Sequence, residues 1–308
     1  MQQNYDPLED AVAIRHALSK KPKNMNELIQ IIAHRSNLHR QKILQAYFNK
    51  YQKKLHDEFK NELTGNFQEP VISLFFTPID FDCYHLYKAT KGFGTNEDTL
   101  IEIIASRSNE ELIKIKQRYP ELYGKDLVKL IENETSGFFR KILLKLLEAN
   151  RPNNPYPDER QCGESAKRLF DASEKKKDVW QETFLYMFTQ KSREELTLIS
   201  QIYYKWYSKT LFEVIESLFS GDTKRAFKAI VYSLISPSEY FAYRIHKAIK
   251  GLGTNDTILI RVVVSRDEVD IFRIKRYFKQ LYQRDMYDAI KDDVSGDYKN
   301  LLLELIGK

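Results

Sequence analysis

The sequence predicts an all-α chain built from four copies of one helical unit. The first observation is a spacing. Arg35, Arg107, Lys191 and Arg266 each precede a glycine (Gly65, Gly137, Gly221, Gly296) by 30 residues. The second is that the apolar positions between these landmarks stay in phase. Isoleucine lies 8 residues after each basic landmark (Ile43, Ile115, Ile199, Ile274) and an aromatic lies 12 after it (Tyr47, Tyr119, Tyr203, Phe278). Leu55, Leu127, Leu211 or Met286 lies 20 after it. Self-similarity at a fixed period is the mark of repeat architectures, here with a unit of about 70–80 residues. The third observation is the local period. Leu112, Ile115 and Tyr119 sit at i, i+3 and i+7, as do Ile271, Ile274 and Phe278, so each trio lies on one helical face. The endings LYGKDLVKLIENETSGFFRKILLKLL and VSGDYKNLLLELI read as helix, turn, helix with the glycine in the turn. No stretch reads as a run of alternating strands.

The linkers between units are short except residues 150–158, NRPNNPYPD. Three prolines and three asparagines there stop a helix and are expected to divide the chain into two halves. Composition then restricts the function classes. The 308 residues carry 49 basic and 43 acidic side chains, a formal net charge of +6. That mild excess favours anionic partners, lipid surface or nucleic acid, without choosing between them. The basic residues are dispersed among acids and form no stripe interleaved with exposed aromatics, so no nucleic acid is expected. Cys83 and Cys162 are too few for a disulfide framework and not at metal-ligand spacing, which makes a reducing, cytoplasmic setting the expectation. The start MQQNYDPLEDAVAI shows no secretory signal, and no apolar run approaches the roughly 18 residues of a spanning helix. Any meeting with a membrane is expected to be peripheral. The six histidines show no nucleophile or paired-ligand spacing, and no nucleophile–base set is legible, so the chain is not expected to be an enzyme.

Two loops carry the chemistry. Residues 91–98 read KGFGTNED and residues 250–257 read KGLGTNDT. Glycines permit backbone angles that expose amides or carbonyls to a ligand. Thr95 and Thr254 suit an N-cap position, with Asp98 completing a capping box in the first loop. A phosphate cradled by amides is one reading, but the nucleotide fingerprints need a preceding strand and further glycines. A hard cation held by carbonyls is the other, and calcium usually wants a carboxylate as well. Three residues before the landmark glycines lie Glu62, Glu134, Leu218 and Asp293. Both copies with G-x-G-T carry an acid there, 40 residues after Gly94 and Gly253. The third copy has neither glycines nor acid; the first keeps Glu62 without the glycines. Singly, each acid reads as an ordinary surface residue near a helix end. Their pairing with the loops favours a metal site.

Four helical repeats, two K-G-x-G-T loops and an acid 40 residues beyond resemble the annexins over roughly residues 8–307. The resemblance implies four repeats of about five helices each, arranged as a slightly curved disc with calcium loops on its convex face. It implies a short arm (1–8), repeats at 9–78, 79–150, 160–236 and 237–308, and a linker at 151–159. It also implies two Ca2+ sites. One would use the carbonyls of Thr90, Gly92 and Gly94 with Glu134; the other those of Ile249, Gly251 and Gly253 with Asp293, the shorter acid marking the weaker site. Minor positions would pair Thr95 with Glu97 and Thr254 with Asp256. The implied function is calcium-dependent binding to acidic phospholipid membranes. The protein would be a monomer in solution, with lateral assembly on membranes. The alternative is a scaffold joining cytoskeleton and membrane, or self-associating, with little calcium dependence. The arm is expected to be too short to offer an amphipathic helix to a partner.

The other two copies depart from the pattern. Lys20 and Pro22, and Lys176 and Asp178, replace the glycines, so no ordinary calcium site is expected in either loop. Both loops are lysine-rich: Lys20, Lys21 and Lys23, then Lys175, Lys176 and Lys177. These, with Lys91 and Lys250 of the glycine loops, are expected to meet acidic headgroups. Trp180 is expected to pack on its own repeat. Arg35, Arg107 and Arg266 recur at one position, which points to a structural hydrogen-bonding role. Asp82 with Arg107 reads as a buried ion pair or as part of a polar, ion-conducting centre.

Overall fold

The computed structural model describes residues 6–92, 94–175, 177–251 and 253–307, and for residues 177–179 the backbone alone. Its described residues form helices and connecting turns, with no strand. The first repeat holds α1 (Pro7–Ser19), α2 (Met25–Ala33), α3 (Asn37–Tyr51), α4 (Leu55–Glu62) and α5 (Gln68–Leu74). The second holds α6 (Pro78–Ala89), α7 (Glu97–Ser106), α8 (Asn109–Tyr123), α9 (Leu127–Glu134) and α10 (Gly137–Leu147). In the third are α11 (Glu159–Ser173), α12 (Lys177–Gln190), α13 (Arg193–Tyr207), α14 (Leu211–Leu218) and α15 (Gly221–Ile235). The fourth comprises α16 (Pro237–Ile249), α17 (Asp256–Arg266), α18 (Ile271–Tyr282), α19 (Met286–Asp293) and α20 (Gly296–Ile306). The expected all-α repeats of five helices are present.

The phased residues are the core. Ile43, Tyr47, Ile115, Tyr119, Ile199, Tyr203, Ile274 and Phe278 are buried along the third helix of each repeat. Leu55, Leu127, Leu211 and Met286 open the fourth helix and are buried against that face. The landmark glycines do one backbone task. Gly137 has φ +59° and Gly296 φ +64°, each following an extended serine and starting the fifth helix. A side chain there would meet no neighbour, so the requirement is conformational and not spatial.

The chain groups into two compact units, and the boundary corrects the expectation drawn from the linker. The first and fourth repeats form one unit, up to Phe81 and from Phe241 onward; the second and third form the other, Asp82–Tyr240. Residues 150–158 therefore lie inside the second unit. They do break the helix, but they are stitched down. The Arg151 guanidinium donates to the Lys191 and Phe188 carbonyls at 2.6 Å each, and Asn109 Nδ2 donates to the Arg151 carbonyl at 2.8 Å. Burial pulls the Arg151 pKa down to about 10. In the first unit, Arg40 reaches from α3 to Asp267 (3.6 Å) and Glu268 (3.3 Å), just past α17.

The three arginine landmarks each engage the first helix of their repeat, whereas Lys191 takes Glu195 of α13 at 3.0 Å. Arg35 forks onto Asp10 with bonds of 2.7 and 2.8 Å. Arg107 forks onto buried Asp82 with two bonds of 2.7 Å. Phe241 stands where that aspartate would be in the fourth repeat. Arg266 lies over its ring at 4.6 Å and takes Asp270 at 2.7 Å instead. The structural role expected of these arginines is what the geometry shows.

Candidate cation loops

Each G-x-G-T loop leaves the first helix of its repeat and enters the second. In the second repeat it follows Ala89, the last residue of α6, and ends at Glu97, the first of α7. Gly92 and Gly94 have φ +105° and +83°; Gly251 and Gly253 have +121° and +82°. Those angles strain any residue with a Cβ, while the space around each glycine is open. The loop closes on itself when the Asn96 amide donates to the Ala89 carbonyl at 2.8 Å, and Asn255 to Ala248 at 2.7 Å.

The caps differ from the sequence expectation. Asn96 and Asn255, not Thr95 and Thr254, cap the following helices, their side chains accepting from the Thr99 and Ile258 amides at 3.0 and 3.1 Å. Asp98 completes no capping box; it takes Arg225 of α15 at 2.6 Å. The threonines are thereby free for another task. Thr95 Oγ1 donates to Glu134 Oε2 at 2.9 Å and reaches the Glu134 carbonyl at 3.3 Å. Thr254 Oγ1 donates to Asp293 Oδ2 at 2.6 Å and reaches the Asp293 carbonyl at 3.2 Å. Each loop is thus fastened to the acid 40 residues beyond its second glycine.

The remaining expected residues fall as follows. Thr90 follows α6 and turns its hydroxyl back onto the Leu86 and Tyr87 carbonyls at 3.1 and 3.2 Å, while Ile249 ends α16. Glu97 and Asp256 open α7 and α17. Asp256 is held from the first repeat by Asn66 Nδ2 at 2.8 Å and faces buried Tyr298, in a cleft of about 430 Å³ that Asp293 also lines. Burial pushes the Asp256 carboxyl up, and the charge of Asp293 adds to the push. Lys91 lies over the Tyr87 ring at 5.4 Å, and Lys250 is exposed.

The lysine-rich loops are less free than their composition suggests. Lys20 pairs with Glu27 at 3.5 Å and Lys23 with Glu62 at 2.9 Å; Lys21 and Lys175 are exposed. Lys176 and the side chain of Lys177 lie outside the described residues. Trp180 packs on its own repeat, edge-on to Phe219 at 4.7 Å. Sequence reading missed the capping asparagines, although a signal was present. Asn24, Asn96 and Asn255 each stand 11 residues before the basic landmark, and Trp180 takes that place in the third repeat.

Among the described residues, no three His, Cys, Asp or Glu side chains are gathered as a side-chain metal cage. Calcium takes hard oxygen donors, and Glu134 and Asp293 are the carboxylates fastened to the two loops. No described helix is long and apolar enough to cross a membrane.

Comparison with known proteins bears on the repeat architecture. The family model described as Annexin matches residues 9–74, 81–146, 164–230 and 240–305. Human annexin A4 is 36% identical over 303 residues, covering 98% of this chain and 95% of the relative. Human annexin A7 is 34% identical over 305 residues, 99% of this chain, which spans 62% of that longer protein. A solved point mutant of annexin A8 superposes with a TM-score of 0.96 at 33% identity, covering 100% of this chain and 97% of that one. A calcium-bound annexin, (Sm)1, does so at 0.86 and 29% identity, covering 98% and 90%.

Proposed function

The chain belongs to the annexin family, and from that premise we propose that it binds acidic phospholipid membranes in a calcium-dependent way, through the loops of its second and fourth repeats. The observation that carries the reading is the hydroxyl-to-acid fastening, Thr95 on Glu134 and Thr254 on Asp293, in the two copies that carry both glycines. The carbonyls of Thr90, Gly92 and Gly94 with Glu134, and of Ile249, Gly251 and Gly253 with Asp293, are the proposed ligands. Bound calcium supplies positive charge that one carboxylate does not cancel, and coordination positions that lipid phosphate or carboxyl oxygens can fill.

The protein's part is to hold the oxygens ready. Positive φ at the glycines keeps each loop in a shape other residues resist. The threonine hydroxyls keep the distant acids beside the loops. Exposed Lys21, Lys91, Lys175 and Lys250 add attraction to an anionic surface, about 1 kcal/mol for each lysine close to it. By linkage, acidic lipid raises the apparent calcium affinity by the factor that calcium raises lipid affinity. Two such loops in one chain add through effective concentration. The protein acts as a peripheral binding module, without catalysis.

Sedimentation with acidic vesicles, with and without chelator, tests the reading. Binding that needs calcium, and is lost in the Glu134→Gln/Asp293→Asn double variant, is expected. Binding that ignores both chelator and variant would establish the calcium-independent scaffold instead.

A further inference from the structure

The first repeat keeps the distant acid, Glu62, but not the glycines. The residue aligned with Thr95 and Thr254, 12 before the basic landmark, is Lys23. Its ammonium repeats their contacts with a different group. Lys23 Nζ lies 2.9 Å from Glu62 Oε2 and also donates to the Glu62 carbonyl. In the second and fourth repeats a hydroxyl reaches those same two kinds of atom on Glu134 and Asp293. A hydroxyl brings no charge and leaves the carboxylate available to a metal. An ammonium brings one positive charge and three donors, and it consumes the carboxylate.

The loop is otherwise closed in the family manner. The Asn24 amide donates to the Ala17 carbonyl at 3.0 Å, as Asn96 does to Ala89 and Asn255 to Ala248. Asn24 also caps α2 through the Glu27 amide. Loop closure here therefore needs no glycine. We propose that Lys23 is a tethered cation that does for Glu62 what calcium does for Glu134 and Asp293, holding the first loop to α4 at every calcium concentration. The comparison with calcium rests on the function proposed above; the tether itself does not.

Magnitudes say where to look. The pair is part-exposed, at 35% for the Lys23 side chain and 42% for Glu62, so its effect on global stability is small. Local opening of the loop is the sensitive readout. Hydrogen exchange of the amides of Lys20, Lys21, Lys23 and Asn24 is measured on the full chain, in chelator and in saturating calcium. In the wild type the first loop is expected to exchange identically in both, while the second and fourth loops slow in calcium. Lys23→Met is expected to speed first-loop exchange several-fold in both conditions, and Lys23→Arg to restore it. A Lys23→Met chain that exchanges as the wild type does, or a wild-type first loop that calcium slows, overturns the proposal. Second and fourth loops that ignore calcium would sink the calcium reading alone, since the Lys23→Met arm in chelator is read without the ion.

Discussion

The second and fourth repeats carry the same loop on different supports. In the second, the landmark Arg107 forks onto Asp82, buried in α6. In the fourth, Phe241 replaces that aspartate, and Arg266 divides itself between the ring and Asp270. The helix after the loop is steadied in both cases by a neighbouring repeat, by charge in one and by a neutral amide in the other. Arg225 of α15 holds Asp98, whereas Asn66 of the first repeat holds Asp256. The joint after the second helix differs too. Ser108 caps α8 with a full capping box, while Asp267 and Glu268 in the fourth repeat are spent on Arg40. The lesson is that the loop chemistry is local and portable. The anchoring beneath it is rebuilt in each copy from whatever the neighbouring helix offers.

The largest expected difference lies in the arginines. Arg107→Ala strands a buried carboxylate and is expected to cost on the order of 3–5 kcal/mol. Arg266→Ala breaks a ring contact and a short-range pair, and is expected to cost roughly half as much. Denaturant midpoints compare the two, and equal losses would erase the distinction.

The joint supplies the next effect. Burial, opposed by Arg40, pushes the Asp267 pKa up to about 6. A carboxyl raised in the folded state binds protons more tightly there than when unfolded. This group therefore lowers stability as pH rises from about 4 through 6, and acidification over that window gives the stability back. The span is on the order of 2–3 kcal/mol. Asp267→Asn is expected to flatten that part of the stability–pH curve, and an unchanged curve would remove the group from the joint.

Calcium titrations on acidic vesicles sharpen the loop comparison. Glu134→Gln is expected to raise the half-saturating calcium about tenfold, equivalent to about 1.4 kcal/mol, and Asp293→Asn by less. Asp293→Glu should bring the fourth loop toward the second. The reverse ranking would show that acid length does not set the order. The smallest effect expected is that of the caps, where Asn96→Ala and Asn255→Ala are each expected to cost about 1 kcal/mol in thermal or chemical denaturation.

Much of the fold was legible because repeats report their own register. Ile115 or Phe278 alone is an ordinary apolar residue, but four residues in phase identify a buried face. The pairing of Thr95 with Glu134 was half legible. The 40-residue interval named the acid, yet the hydroxyl bond between them was hidden in the sequence, since local chemistry made Thr95 an equally good cap. The cap went to Asn96 because the loop closes one residue later than the threonine. The linker misled for a different reason. Prolines tell where a helix stops and say nothing of which helices then pack together. The lysine loops misled in part, because composition counts charges without showing that Glu27 and Glu62 already hold two of them.

The pairing of the first repeat with the fourth bears on how the chain is made. During synthesis the second and third repeats can assemble as soon as the first 240 residues have emerged. The first repeat, though made before the other three, must wait for the fourth before Arg40 meets Asp267 and Asn66 meets Asp256. Termination between Tyr240 and Asp256 would therefore leave a finished middle and an orphaned first repeat.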